Sequence, residues 1–194
     1  MAPGWRSATR WICRLLVEEI AEEAALEGDV REVTLRVESK TSAHVLGSRE
    51  LLHVAIENVL RNALRHTPHA STVKLELLQA GDQVSLSVYD QGPGVQESDL
   101  RRMFEPFFRS EDARSNFPSG SGLGLAMTCR IVEKHGGSVA ARNQQTGGLV
   151  VKLLFPVGES SITTWHDNFS MRDAAGDALG LEQRSAEDRY YQKP

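Results

Sequence analysis

Between Ser48 and Asp90 the apolar residues change period once, and no other feature constrains the fold as strongly. "RELLHVAIENVLRNALRH" repeats its apolar side chains at helical spacing, while "TVKLELL" and "QVSLSVYD", joined by the turn "AGD", alternate apolar and polar residues. A helical stripe and two half-apolar strands this close in sequence must bury their apolar faces, and they can do so against each other. Ser48 is placed to cap the helix, which closes before Pro68. The same two periods recur on both sides. "LLVEEIAEEAAL", Leu15 to Leu26, predicts a helix with Gly28 as its stop, and "EVTLRVES" a strand with Val33, Leu35 and Val37 on one face. A short helix is expected from Asp99 to Phe104 and another from Leu123 to His135, ending at Gly136-Gly137. A last hairpin, "SVAARN" and "GLVVKLLFP" about the turn "QQTGG", finishes near Pro156. Strands and helices intermix, so the fold class expected is α/β, a layered sandwich.

At 194 residues, 40% hydrophobic and 25% charged, the chain has enough apolar material for one globular core. Residues 14–158 are expected to form it, with 1–13 as an N-terminal remnant or linker. Past Gly158 the sequence is polar and without sustained period, which predicts a disordered tail over 159–194. The net charge is -4 and the basic residues gather into no stripe, so a nucleic-acid partner is not expected. No apolar run approaches the ~20 residues that cross a bilayer. The N-terminal "MAPGWRSATRWICRLL" is followed by Glu18 and Glu19 and interrupted by Arg14, unlike a secretory signal. Cys13 and Cys129 lie far apart without metal-ligand spacing and are read as reduced thiols of a cytoplasmic protein.

Three stretches carry chemistry. Asn58 and Asn62 stack on one face of the long helix, with Arg65 close to that face one turn on. Asn is a mediocre helix former, and its carboxamide oxygen is a hard ligand able to hold Mg²⁺ beside substrate phosphates; a solvated polar face is the alternative. Asp90 continues the core-facing parity of Val84, Leu86 and Val88, and an inward carboxylate must be satisfied. It could accept from the amine of adenine, with Gly92 and Gly94 leaving room for a flat ligand, or cap its own glycine turn. "RRMFEPFFRSEDARSNFPSG" places Phe104, Phe107 and Phe108 around Pro106 as an anchor for a lid, or as core filling, with Arg109 placed to reach a phosphate. The lid runs into "SGSGLGLAM", whose alternating glycines open a helix, an arrangement suited to phosphate. There is no G-x-x-x-x-G-K-[ST], Gly120, Gly122 and Gly124 lack dinucleotide-fingerprint spacing, and no nucleophile elbow is present.

In this order the pieces resemble the ATP-binding catalytic domain of bacterial sensor histidine kinases, of the superfamily shared with gyrase and the mismatch-repair ATPases. "ENVLRNALRHTP" is similar to the N box, "DQGPGV" to the first glycine box, "FEPFFR" to the F box, "GSGLGL" to the second glycine box and "TGG" to the closing one. The arrangement looks most like the envelope-stress subgroup typified by CpxA. The resemblance runs from about Leu15 to Pro156 and implies a two-layer α/β sandwich, its mixed, mainly antiparallel sheet covered on one face by helices. It implies ATP and Mg²⁺ as cofactors. By it Asn62 is the main metal ligand and Asn58 its partner, Arg65 and His66 border the phosphates, and Asp90 binds the adenine amine beside Gly92 and Gly94. Phe107 and the run Gly120, Ser121, Gly122, Leu123, Gly124, Leu125 bind the nucleotide from the lid side, and Asn58, Asn62, Arg65 and Arg109 serve phosphotransfer.

Two departures qualify the resemblance. Hydrolytic relatives carry a glutamate one helical turn before the metal-binding Asn; Asn58 stands there, and an amide cannot act as a general base. Glu57 points about 100° away around the helix. ATP is therefore expected to be held for transfer. None of His44, His53, His66, His69, His135 or His166 has the context of the family's acceptor histidine. The partners implied are a separate histidine-containing dimerisation domain and, through it, a response regulator, with no membrane segment in this chain. The competing expectations are a stand-alone serine kinase of the anti-sigma-factor type and a non-catalytic nucleotide-binding module.

Overall fold

A computed structural model describes residues 9–29, 32–111, 120–158 and 191–192. Helix α1 runs over Cys13–Asp29, α2 over Arg49–His66, the single turn α3 over Asp99–Arg102 and α4 over Gly124–Lys134. The strands are β1 (Thr9–Ile12), β2 (Thr34–Ser39), β3 (His44–Gly47), β4 (Thr72–Ala80), β5 (Gln83–Tyr89), β6 (Ser138–Asn143), β7 (Leu149–Pro156) and β8 (Tyr191–Gln192). The main sheet has the order β2-β4-β5-β7-β6-β8. Only β2 and β4 are parallel; every other neighbouring pair is antiparallel. This is the mixed, mainly antiparallel α/β sandwich expected. Among the described residues no helix is long and apolar enough to cross a membrane.

One sheet face meets the helices. Val73, Leu75 and Leu77 of β4, Val84, Leu86 and Val88 of β5, and Val151, Leu153 and Phe155 of β7 are all buried. They share a core with Leu16, Val17 and Ile20 of α1 and with Leu52, Ile56, Val59 and Leu60 of α2. Each such side chain contributes about 1.5–3 kcal/mol by leaving water. Burial also pushes the Cys13 thiol up to about 11, so it stays protonated and packs as an apolar group. Arg49 pairs with Glu19 across α1 and α2, and the guanidinium holds that carboxyl below its usual range.

The helix ends show how α2 is placed. Ser48 is extended, and its hydroxyl accepts from the Leu51 amide at 3.3 Å. The Ser48 amide in turn donates to His135 Nε2 at 3.2 Å, while His135 Nδ1 donates to the Ile131 carbonyl at 2.6 Å. The end of α4 is thereby tied to the start of α2. Near the other end of α4, the Thr128 hydroxyl donates to the Ala55 carbonyl at 3.0 Å.

Three features differ from the sequence expectations. Helix α1 continues through Gly28 to Asp29. The short β1–β3 ladder, Thr9↔Gly47 to Ile12↔His44, was not anticipated, because four-residue strands offer too little alternation. It draws on residues 9–12, within the stretch expected to be an N-terminal remnant or linker. The predicted disordered tail lies outside the described residues except for Tyr191–Gln192, which pair with Ala141 and Ala140.

Candidate functional site

The buried stripe of α2, from Leu52 to Leu64, faces the core, and the adjoining face lines a cleft of about 970 Å³. Asn58, Asn62 and Arg65 follow one another along that wall at helical spacing. Neither Asn carboxamide has a hydrogen-bond partner among the described residues. Both residues are partly covered, and a Cβ built on Gly124, at the start of α4, would lie 3.2 Å from Asn58 Oδ1.

Asp90 also lines the cleft. It is 4% exposed, and its Oδ1 accepts from the Gly92 amide at 2.9 Å and the Leu149 amide at 3.0 Å. Capping its own glycine turn and facing a ligand are thus compatible, since among the described residues no bond falls on Oδ2. Burial raises the Asp90 pKa above its ordinary value of 3.8, against the opposing pull of the two amides.

Elsewhere on the lining, Arg65 and Arg109 converge on Gly120. A Cβ there would lie 3.1 Å from Arg65 Nη1 and 3.6 Å from Arg109 Cζ. Gly122 has φ +71°, and a Cβ would come within 2.8 Å of the Phe107 carbonyl carbon and the Phe108 carbonyl oxygen, so only glycine fits. The Gly122 carbonyl accepts from the Phe107 amide at 3.0 Å, which joins the aromatic segment to the helix mouth. The first turn of α4 has no side-chain cap for its free amides.

The three phenylalanines separate. Phe104 fills the core at 4% exposed, Phe108 lines the cleft with the Arg102 guanidinium 4.4 Å from its ring centroid, and Phe107 is 71% exposed. Asn58, Asn62, Arg65, His66, Asp90, Gly94, Arg109, Gly120, Ser121, Gly122, Gly124 and Leu125 all line the cleft. Gly92, Phe107 and Leu123 do not. Gly92 is packed instead against the backbone, where a Cβ would lie 2.8 Å from the His66 carbonyl oxygen. Residues 112–119 of the expected lid lie outside the described residues. Met103, Val95 and Leu149 also line the cleft and were not anticipated. Leu149 could have been found from the hairpin pattern, whereas Met103 and Val95 carry no polar signal.

The fold is that of a histidine kinase catalytic domain. The solved structure of the mycobacterial sensor histidine kinase MprB matches with a TM-score of 0.69 at 28% identity, covering 78% of this chain and 98% of that one. The family of histidine kinase-, DNA gyrase B- and HSP90-like ATPases matches residues 47–159, and the chain belongs to it. Membership implies ATP binding. Among similar proteins are the sensor protein IrlS of Burkholderia pseudomallei, 38% identical over 135 residues, and the sensor histidine kinase CpxA of Escherichia coli, 34% identical over 149. These alignments cover 70% and 75% of this chain but 28% and 32% of the relatives, so the chain spans about a third of their length. Identities of this size do not separate the CpxA subgroup from the others.

Proposed function

We propose that the cleft holds Mg-ATP with the base at Asp90 and the phosphates between α2 and Gly120, for transfer of the γ-phosphate to a histidine on a dimerisation domain. That domain would pass it to a response regulator on the cytoplasmic side of the membrane. The observation that carries this reading is the pair of partnerless carboxamides on Asn58 and Asn62, on the wall shared with the convergent Arg65 and Arg109. Two neutral oxygens fit Mg²⁺, which takes few protein ligands and completes its shell with water and phosphate oxygens. Bound there, Mg²⁺ would neutralise phosphate charge. Arg65 and Arg109 would fix the phosphate oxygens through planar, charge-assisted bonds. The CpxA-type assignment is the finest part of this reading and rests on the N-box and F-box wording.

Asp90 supports adenine recognition. A free carboxylate oxygen accepts from the exocyclic amine of adenine and repels the carbonyl that guanine presents. Asp90→Asn keeps an oxygen for the Gly92 and Leu149 amides but turns an NH₂ toward the base. ATP affinity should fall by about 1–3 kcal/mol, the cost of losing a charge-assisted bond. The nucleotide-free protein should respond in the opposite sense. Because the folded pKa is raised, the carboxyl binds its proton more tightly when folded. Its contribution to stability is full below about pH 3.8 and is lost as pH rises through the folded value. At neutral pH the Asn variant should therefore melt no lower than the parent. Calorimetry with ATP and GTP, together with thermal melts, checks both signs; GTP bound as tightly as ATP would exclude the adenine role.

A protein acceptor is supported by an apolar group near the cleft mouth. Phe107, Leu123 and Met127 are 71%, 37% and 49% exposed, and Leu123 and Met127 lie one turn apart at the start of α4. Exposed apolar clusters beside a site mark docking surfaces. Met127→Ser should slow transfer to an acceptor domain about tenfold, as truncating an interface anchor does, while ATP affinity stays unchanged. A parallel loss of ATP binding in calorimetry would remove this docking role.

A further inference from the structure

The loop that carries Gly92, Pro93 and Gly94 is fastened at both ends to a single hairpin turn. At its start, the Asp90 amide donates to the Leu149 carbonyl at 3.0 Å, and Gln144 Nε2 donates to the Asp90 carbonyl at 2.6 Å. At its end, the Asn143 carboxamide pairs with both sides of Val95. Asn143 Oδ1 accepts from the Val95 amide at 3.0 Å, and Nδ2 donates to the Val95 carbonyl at 2.7 Å and to Glu97 Oε1 at 3.1 Å. One side chain thus does what a strand partner would do, at the point where β6 ends. The turn is itself closed, with the Gln144 amide on the Gly148 carbonyl at 2.9 Å and the Gly147 amide on the Gln144 carbonyl at 3.2 Å. Gly94 lies against this clamp at φ +75°, where a Cβ would come within 2.7 Å of Asn143 Oδ1.

We infer that Asn143 is a positioning residue for nucleotide binding: its two-way bond to Val95 sets the place of the Gly94–Gln96 wall of the cleft, which it does not itself line. Gln144 holds the other end of the same loop at the Asp90 carbonyl. The inference rests on the ATP reading above. The residue must be an amide, because the Val95 peptide group offers one donor and one acceptor and Glu97 adds a second acceptor. A carboxylate would keep the bond from the Val95 amide but face the Val95 carbonyl and Glu97 with lone pairs.

The variants Asn143→Ala and Asn143→Asp, with Gln145→Ala on the exposed tip of the same turn as control, test this. ATP and ADP affinities are measured by calorimetry, thermal midpoints by melting, and exchange of the Val95 amide by hydrogen–deuterium exchange. Affinity for both nucleotides should fall about tenfold in Asn143→Ala and further in Asn143→Asp. The control should bind as the parent does, and Val95 exchange should quicken only in the Asn143 variants. A residue with a merely structural role would lower the melting point and leave affinity in the folded fraction unchanged; that result overturns the inference, as does equal affinity in Asn143→Ala and Asn143→Asp. If Asn143→Ala does not fold, the Val95 amide of the parent still decides: exchange as fast as in an unbonded loop overturns the clamp. Failure of the parent to bind ATP would instead overturn the ATP reading, and this inference with it, whatever Val95 does.

Discussion

Asn62→Ala is expected to lower Mg²⁺-dependent phosphotransfer by about 100-fold or more while leaving the fold intact. Loss of residues that merely support a metal ligand costs about 10–100-fold, and Asn62 is proposed as a ligand itself. The usual objection, that the variant damages the protein, is weak at this position. Asn62 is only partly covered, has no hydrogen-bond partner to orphan, and sits inside a helix where Ala is the better former by roughly 0.5 kcal/mol. The melting point should therefore hold or rise slightly as activity falls, a combination that global unfolding cannot produce. Asn58→Ala should show the same sign with a smaller loss. The measurement is a Mg²⁺ titration at fixed ATP analogue, followed by calorimetry, with phosphotransfer assayed alongside. Unchanged Mg²⁺ dependence in Asn62→Ala would remove the metal role from this face of α2.

Legibility in the sequence followed the range of the physical signal. Helix α2 could be read because its cap, its apolar stripe and its Pro68 stop are all local, and the Ser48 hydroxyl bonds the Leu51 amide as expected. Asp90 could be read because strand parity extends one residue past β5 without a break, and the residue is indeed buried. The aromatic segment was legible only as a group. Which of Phe104, Phe107 and Phe108 fills the core, lines the cleft or faces solvent depends on a turn with φ 63° at Phe107, and composition does not encode that turn. Gly28 failed as a stop, since a glycine ends a helix only where the chain can turn left-handed, and α1 continues past it. Asn143 was invisible for a different reason. Its partner Val95 lies 48 positions away, and its role comes from the hairpin meeting the loop, which nothing local reports. The pairing of β1 with β3 is hidden in the same way.

The second large effect concerns where the phosphate goes. The 194-residue chain incubated with labelled ATP should remain unlabelled and hydrolyse slowly, whereas an added dimerisation domain from a related kinase should become labelled on histidine. Transfer requires an imidazole nitrogen in line with the γ-phosphorus, forming the N–P bond as the bond to the bridging oxygen breaks and ADP leaves. Among the described histidines only His66 lines the cleft, and it belongs to the wall that closes α2. His135 is buried with both ring nitrogens engaged, and His53 lies 3.2 Å from Glu23 between α1 and α2. Water fares no better as acceptor. Asn58 cannot take its proton, and Glu57 is paired with Arg61 at 3.2 Å and does not line the cleft. Of the three carboxylates among the described residues that do line it, Asp90 has Oδ1 committed to two amides, Asp99 lies 3.6 Å from Arg102, and Glu111 is engaged in an interaction of its own. The label on the acceptor should be lost in acid and kept in base, as a phosphoramidate requires. Strong labelling of the chain alone would place an acceptor within it, and a base-labile, acid-stable product would mean transfer to serine; either outcome would replace the histidine kinase reading of this cleft.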